Sequence, residues 1–185
     1  PAQVDLTLVR ITDHKSKNTS EDYLKTFYST WDDVRLKKFD GFIVTGAPIA
    51  HIPFEEVRYW PEMVDIMNWT QTHVHRTMFI CWGAQAALHH FHGVRRYRLP
   101  QKAFGAFRHK VVEPHSPWLR GFSDSPMIPV SRINDIDRAS ISKDLTILID
   151  NAEIGICMLD DPKHRAVHML NHLEYDNRSL ADEYD

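Results

Sequence analysis

Short apolar runs rich in Val, Ile and Phe recur along the chain at residues 4–11, 39–44, 77–80, 145–149, 154–159 and 166–170. Their length and β-branched content predict buried strands. Between the early runs the spacing becomes helical: Leu24, Phe27, Tyr28 and Trp31 fall on an i, i+3, i+4, i+7 stripe, with Thr19 or Ser20 as N-cap. A second helical stretch covers residues 61–73 and opens on Pro61, at the position where proline's missing N–H is least needed. Strand, helix, strand, helix in that order predicts parallel strands with helices on both faces. The expected architecture is therefore α/β: a doubly wound, flavodoxin-like domain with a mostly parallel sheet. The later apolar runs are separated only by the polar segments 150–153 and 160–163, too short for crossover helices, so an antiparallel extension is expected there.

No internal repeat, low-complexity tract or long linker interrupts the 185 residues, which predicts one domain over 1–185. The chain opens without methionine, directly into an apolar run, and closes inside a polar, helix-compatible run at 179–184; the domain is expected to be incomplete at both ends. A formal net charge of −3 with dispersed Lys and Arg leaves no basic footprint for nucleic acid, so the expected partners are small molecules. No long uncharged apolar run and no signal-peptide pattern occur, and the two cysteines, Cys81 and Cys157, make no disulfide framework. No membrane partner and a cytoplasmic setting are expected.

The candidate chemistry sits at residues 77–88, where a strand pattern stops at Cys81 and a helix-forming run begins at Trp82. A strand-turn-helix elbow exposes its side chain at the carboxyl edge of the sheet, and the helix N-terminus beyond it favours a thiolate and offers N–H groups to an oxyanion. The alternative is that Cys81 is only a small buried hydrophobe. A cysteine nucleophile needs a base, and His172 follows the last strand pattern with Glu174 two residues on, projecting to the same side of an extended segment. Other histidines cluster at 73 and 75 and at 89, 90 and 92; only His89 and His92 share a helix face, with no acidic or cysteine ligand nearby in sequence. Solvated helix-face histidines and no metal are expected.

Four stretches occur in one order: Thr45-Gly46-Ala47-Pro48, Phe54-Glu55-Glu56-Val57-Arg58-Tyr59-Trp60, Cys81-Trp82-Gly83-Ala84-Gln85-Ala86 and Ser131-Arg132. With 14–19, 102–105 and 121–124 they make the chain resemble the homoserine O-succinyltransferases and their acetyl-transferring relatives over essentially its whole length. The resemblance implies a class I glutamine amidotransferase-like fold, with Cys81 as acyl-accepting nucleophile, His172 as general base and Glu174 as its orienting partner. Lys102 and Ser131 fall where the family contacts the amino-acid substrate, with Arg132 beside them. Trp82 and the Gly46 loop would supply the oxyanion amides, and Ala50 occupies the position that selects the acyl chain. Acetyl-transferring relatives tend to carry glutamate there and succinyl-transferring ones glycine; alanine leaves room and no charge, which favours succinyl-CoA.

The implied reaction transfers a succinyl group from the co-substrate succinyl-CoA, through a thioester on Cys81, to the hydroxyl of L-homoserine in methionine biosynthesis, with no bound cofactor. Homodimerisation is left open. The family differs here in reading glycine and proline where this chain has Asn171 and Leu173, and in placing a carboxylate-binding arginine about one helical turn after Tyr184. Three alternatives remain: acetyl transfer to homoserine or serine, a catalytically silent binding module of the same fold, and a glutamine amidotransferase. The last usually has glycine where Phe79 stands.

Overall fold

The computed structural model describes residues 3–12 and 21–184. In chain order the first elements are β1 (Leu8–Arg10), α1 (Glu21–Phe27), β2 (Tyr28–Thr30), α2 (Trp31–Val34), β3 (Phe39–Val44), α3 (Trp60–His73) and β4 (Val74–Ile80). There follow α4 (Trp82–His92), β5 (Arg96–Arg108), β6 (Lys110–Val111), β7 (Met127–Ile136), β8 (Thr146–Asn151), β9 (Gly155–Asp161), β10 (Ala166–Met169) and α5 (Ser179–Tyr184).

A six-stranded mixed sheet runs in the order β3-β4-β10-β9-β8-β6. β3, β4 and β10 pair in parallel; α3 makes the crossover from β3 to β4, while β10 enters beside β4 after β5 to β9. The late apolar runs form the expected antiparallel extension, β10 to β9 to β8 to β6. Alternate residues face opposite sides. On β4, Phe79 joins a cluster fed by Val34 of α2, Met67 of α3 and Leu88 of α4, while Ile80 joins a second cluster on the other face. That second cluster holds Met158, Val167 and Met169 and is covered by Leu119, in the 3-10 turn Pro117–Leu119, and by Ile128 of β7. Among the described residues, strand and turn rather than helix cover this face, a departure from helices on both sides.

α3 begins as expected with proline in its first turn. The proposed stripe through Trp31 is not one helix. α1 ends at Phe27, which is 56% exposed; Tyr28–Thr30 then pair in parallel with β1, and α2 restarts where the Thr30 N–H donates to the Asp33 carboxylate (2.8 Å). β1 itself covers only three of the eight residues expected, because its partner β2 is no longer; Val4 and Leu6 lie exposed. The expected N-cap at Thr19 or Ser20 and the motif at 14–19 lie outside the described residues. The β5–β7 ribbon, a separate two-stranded antiparallel sheet with a register shift between Arg98 and Ala103, corresponds to none of the apolar runs. β5 has no strand-like alternation and carries Pro100, which suits an edge. Among the described residues no helix is long and apolar enough to cross a membrane.

Candidate active site

Cys81 stands alone between β4 and α4, with φ 53° and ψ −116°, a backbone conformation that non-glycine residues adopt at a cost of about 1–3 kcal/mol. Two bonds hold it there: its N–H donates to the Met169 carbonyl of β10 (2.8 Å), and its carbonyl accepts from Gln85 N–H (3.1 Å), the first turn of α4. The N–H groups of Trp82, Gly83 and Ala84 have no partner within the helix and carry the positive end of its dipole. Two glycines let the neighbouring loop close on this elbow. A Cβ on Gly46 would lie 2.9 Å from Cys81 Cβ, 3.4 Å from its Sγ and 3.6 Å from Trp82 N; one on Gly83 would lie 2.9 Å from the Val44 and Thr45 carbonyl oxygens. Backbone of the Gly46 loop and the amide of Trp82 are thus brought together beside the thiol.

His172 follows β10 and is tied to β7 by its N–H, which donates to the Pro129 carbonyl (3.0 Å). Its Nδ1 lies 2.6 Å from Glu174 Oε1, and its ring stacks on Tyr175 with centroids 4.3 Å apart. Burial opposes a charge on this imidazole, but hydrogen bonds with Cys81 and Glu174, and their charges, outweigh it and raise the pKa to about 10. For Glu174 burial again opposes the charge, and the bond to His172 overcomes it, holding the carboxyl below its ordinary range. The unusual Asn171 is fully buried, and its Nδ2 meets His109 Nε2 at 2.9 Å; the other ring nitrogen of His109 bonds the Phe107 carbonyl. Leu173 points outward, 38% exposed. With both residues in place, the His172–Glu174 pair is formed.

Cys81, His172 and Glu174 open on a cavity of about 580 Å3 whose wall also includes Gly46, Ala50, Lys102, Ser131 and Arg132. The β5–β7 register, with Phe104 opposite Ser131, sets Lys102 beside Ser131. Both reach one carboxylate: Lys102 Nζ lies 2.9 Å from Glu183 Oε1, and the Ser131 hydroxyl donates to the same oxygen. The Tyr175 hydroxyl donates to Glu183 Oε2 (2.7 Å). Glu183, on α5, and Tyr175 were not singled out from the sequence, since nothing local distinguishes one glutamate of an acidic run. Arg132 lines the cavity with its guanidinium committed elsewhere, to the carbonyls of Ile154 and Ile156 and to Asp135 (3.5 Å). Ala50 is held by its carbonyl, which accepts from Asn134 Nδ2 (2.5 Å), a link between loop and β7 that only the tertiary structure reveals.

The homoserine O-succinyltransferase family model matches residues 1–185. Among similar proteins, a homoserine O-succinyltransferase of Pelagibacterium halotolerans is 72% identical over 184 residues, 100% of this chain and 60% of that protein. A homoserine O-acetyltransferase of Rhizorhabdus wittichii is 60% identical over 186 residues, 100% of this chain and 59% of the relative. The chain thus spans about three fifths of the curated relatives it matches. A glutamine amidotransferase from Thermotoga maritima superposes with a TM-score of 0.67 at 14% identity, over 94% of this chain and 77% of that one. This likeness carries the fold alone. With a cysteine elbow, a His-Glu pair and a family match along its whole length, the chain belongs to the homoserine O-succinyltransferase family.

Proposed function

We propose that the full-length protein is a homoserine O-acyltransferase that takes a succinyl group from succinyl-CoA onto Cys81 and passes it to the homoserine hydroxyl. The observation that carries the reading is the strained elbow that presents Cys81 to His172, itself oriented by Glu174. In the first half-reaction the Cys81 thiolate attacks the thioester carbonyl. The amide of Trp82 and the Gly46 loop hold the oxyanion, and CoA leaves as the thiol after taking a proton from the His172 imidazolium. Acylation then removes the Cys81 charge and hydrogen bond that raise the imidazole's pKa. His172 falls back toward the ordinary histidine range and can accept the proton of the homoserine hydroxyl as that oxygen attacks the acyl-enzyme. The same residue serves as acid and then base because its partner changes charge between the steps.

An amino-acid acceptor is a zwitterion and needs both signs of charge. Lys102 and Ser131 offer donors to its carboxylate, and Glu183 offers an acceptor to its ammonium group, all on one cavity wall. Arg132 acts as a positioning residue that braces this wall through the Ile154 and Ile156 carbonyls. For the donor, Ala50 adds neither bulk nor negative charge where the distal carboxylate of a succinyl group would lie, which supports succinyl over acetyl transfer. The test is kcat/KM for succinyl-CoA and acetyl-CoA with homoserine, measured side by side on the full-length protein. Preference for succinyl-CoA is expected; a tenfold or greater preference for acetyl-CoA overturns the donor assignment, and no transfer from either overturns the enzyme reading.

A further inference from the structure

A second concentration of reactive side chains lies at the far end of α4 from Cys81, about 15 Å along a helix of this length. His92, in the last turn of α4, places Nε2 2.6 Å from Asp161 Oδ2 at the end of β9. His164, in the turn after β9, places Nδ1 2.9 Å from the same oxygen, and His168 of β10 places Nε2 3.4 Å from it. The side chains of Asp161 and His168 have 0% exposure, that of His92 3% and that of His164 14%. His164 stacks on Phe91 and His168 on Phe79, so the rings are fixed with their nitrogens converging.

As a hydrogen-bond network this arrangement is poorly balanced. One carboxylate oxygen has two lone pairs, yet three ring nitrogens crowd it. Asp161 is a fully buried carboxylate whose ion-pair partners among the described residues are histidines, with no lysine or arginine. Buried charges are held by a paired charge or by a metal. The ligand atoms of His92, Asp161 and His164 all lie within 4.8 Å of one another. From sequence the histidines of α4 lacked an acidic partner; the fold brings one from sixty-nine residues away.

We propose that His92, Asp161 and His164, with His168 as fourth donor, form a structural site for a zinc-class divalent transition metal. Imidazole and carboxylate donors suit such an ion, and four protein ligands would close the tetrahedron and leave no position for substrate. The ion would tie the end of α4 to β9 and β10, of which α4 and β10 also hold the Cys81 backbone, and would act on stability rather than on chemistry.

The test is cobalt(II) binding to the full-length protein as its Cys81→Ser variant, which removes competing coordination by the active-site thiol. One equivalent should bind with the visible d–d bands of a four-coordinate site, without sulfur-to-cobalt charge transfer, and should raise Tm. His92→Gln and His164→Gln should each weaken binding by more than about 100-fold, since even an outer partner of a metal ligand is worth about 10–100-fold. His89→Gln, on the exposed Glu55 pair, should leave binding unchanged. His164→Gln alters the most accessible ring of the set and keeps the comparison available should His92→Gln not fold. Failure of the folded Cys81→Ser protein to bind cobalt, a sulfur charge-transfer band, or affinity unchanged in the two glutamine variants overturns the proposal.

Discussion

At the scale of single residues, the Cys81 side chain and the Glu174 carboxylate together set the charge of the His172 imidazole. Replacing Cys81 by serine should leave the fold intact and lower acyl transfer by more than about 1000-fold, because nucleophile and base act as a unit. For the same reason His172→Ala and the double variant with Glu174→Gln should differ little in kcat; fully additive losses in log rate would show that Glu174 works independently. The charge state can be read directly. The His172 imidazole should titrate well above 6.5 in the unmodified protein by NMR, and its pKa should fall in Cys81→Ser and in Glu174→Gln. Cys81 first and Glu174 second raise the folded value, so the charged imidazole stabilises the fold fully below about pH 6.5, while Glu174 stays ionised, and loses that effect as pH rises toward about 10. Denaturation of Glu174→Gln should therefore show its largest deficit in mildly acidic buffer. Ala50→Glu should move kcat/KM toward acetyl-CoA; an unchanged donor ratio would place selection elsewhere in the cavity.

At the scale of elements, the glycines at the elbow matter as much as the reactive groups. Gly46→Ala puts a carbon 2.9 Å from Cys81 Cβ, so the loop must retreat from the thiol. We expect a loss of about 10–100-fold in kcat with little change in Tm, as displacements near 1 Å at reacting groups cost that much. Full activity in Gly46→Ala would remove the loop from the oxyanion site. What the sequence conveyed at this scale follows from local physics. β4, α3 and the β8-β9-β10 hairpins were legible because apolar runs, a proline-led helix and tight polar turns are local signals. The stripe from Leu24 to Trp31 misled because its four positions also fit a helix, a three-residue strand and a second helix. β5 was invisible because its partner β7 and its exposed edge, not its own pattern, make it a strand.

At the scale of the whole molecule, the site is assembled from segments far apart in sequence: the elbow, the ribbon that carries Lys102 and Ser131, the segment after β10 and α5. Cys81 is marked in the sequence by its strand-to-helix elbow, His172 and Glu174 by their spacing and Lys102 by the family resemblance, whereas Glu183, Tyr175 and Asn134 join the cavity only through tertiary contacts. If Lys102 and Glu183 receive the acceptor, Lys102→Ala and Glu183→Gln should preserve the burst of CoA release and raise KM for homoserine; loss of the burst would move them to the donor side. The covalent thioester mechanism on Cys81 can be observed directly. Intact-mass spectrometry of the full-length protein mixed with succinyl-CoA and no homoserine should show one succinyl adduct, mapped by proteolysis to Cys81 and discharged when homoserine is added. Turnover without any adduct, or an adduct on another residue that homoserine discharges, would contradict it.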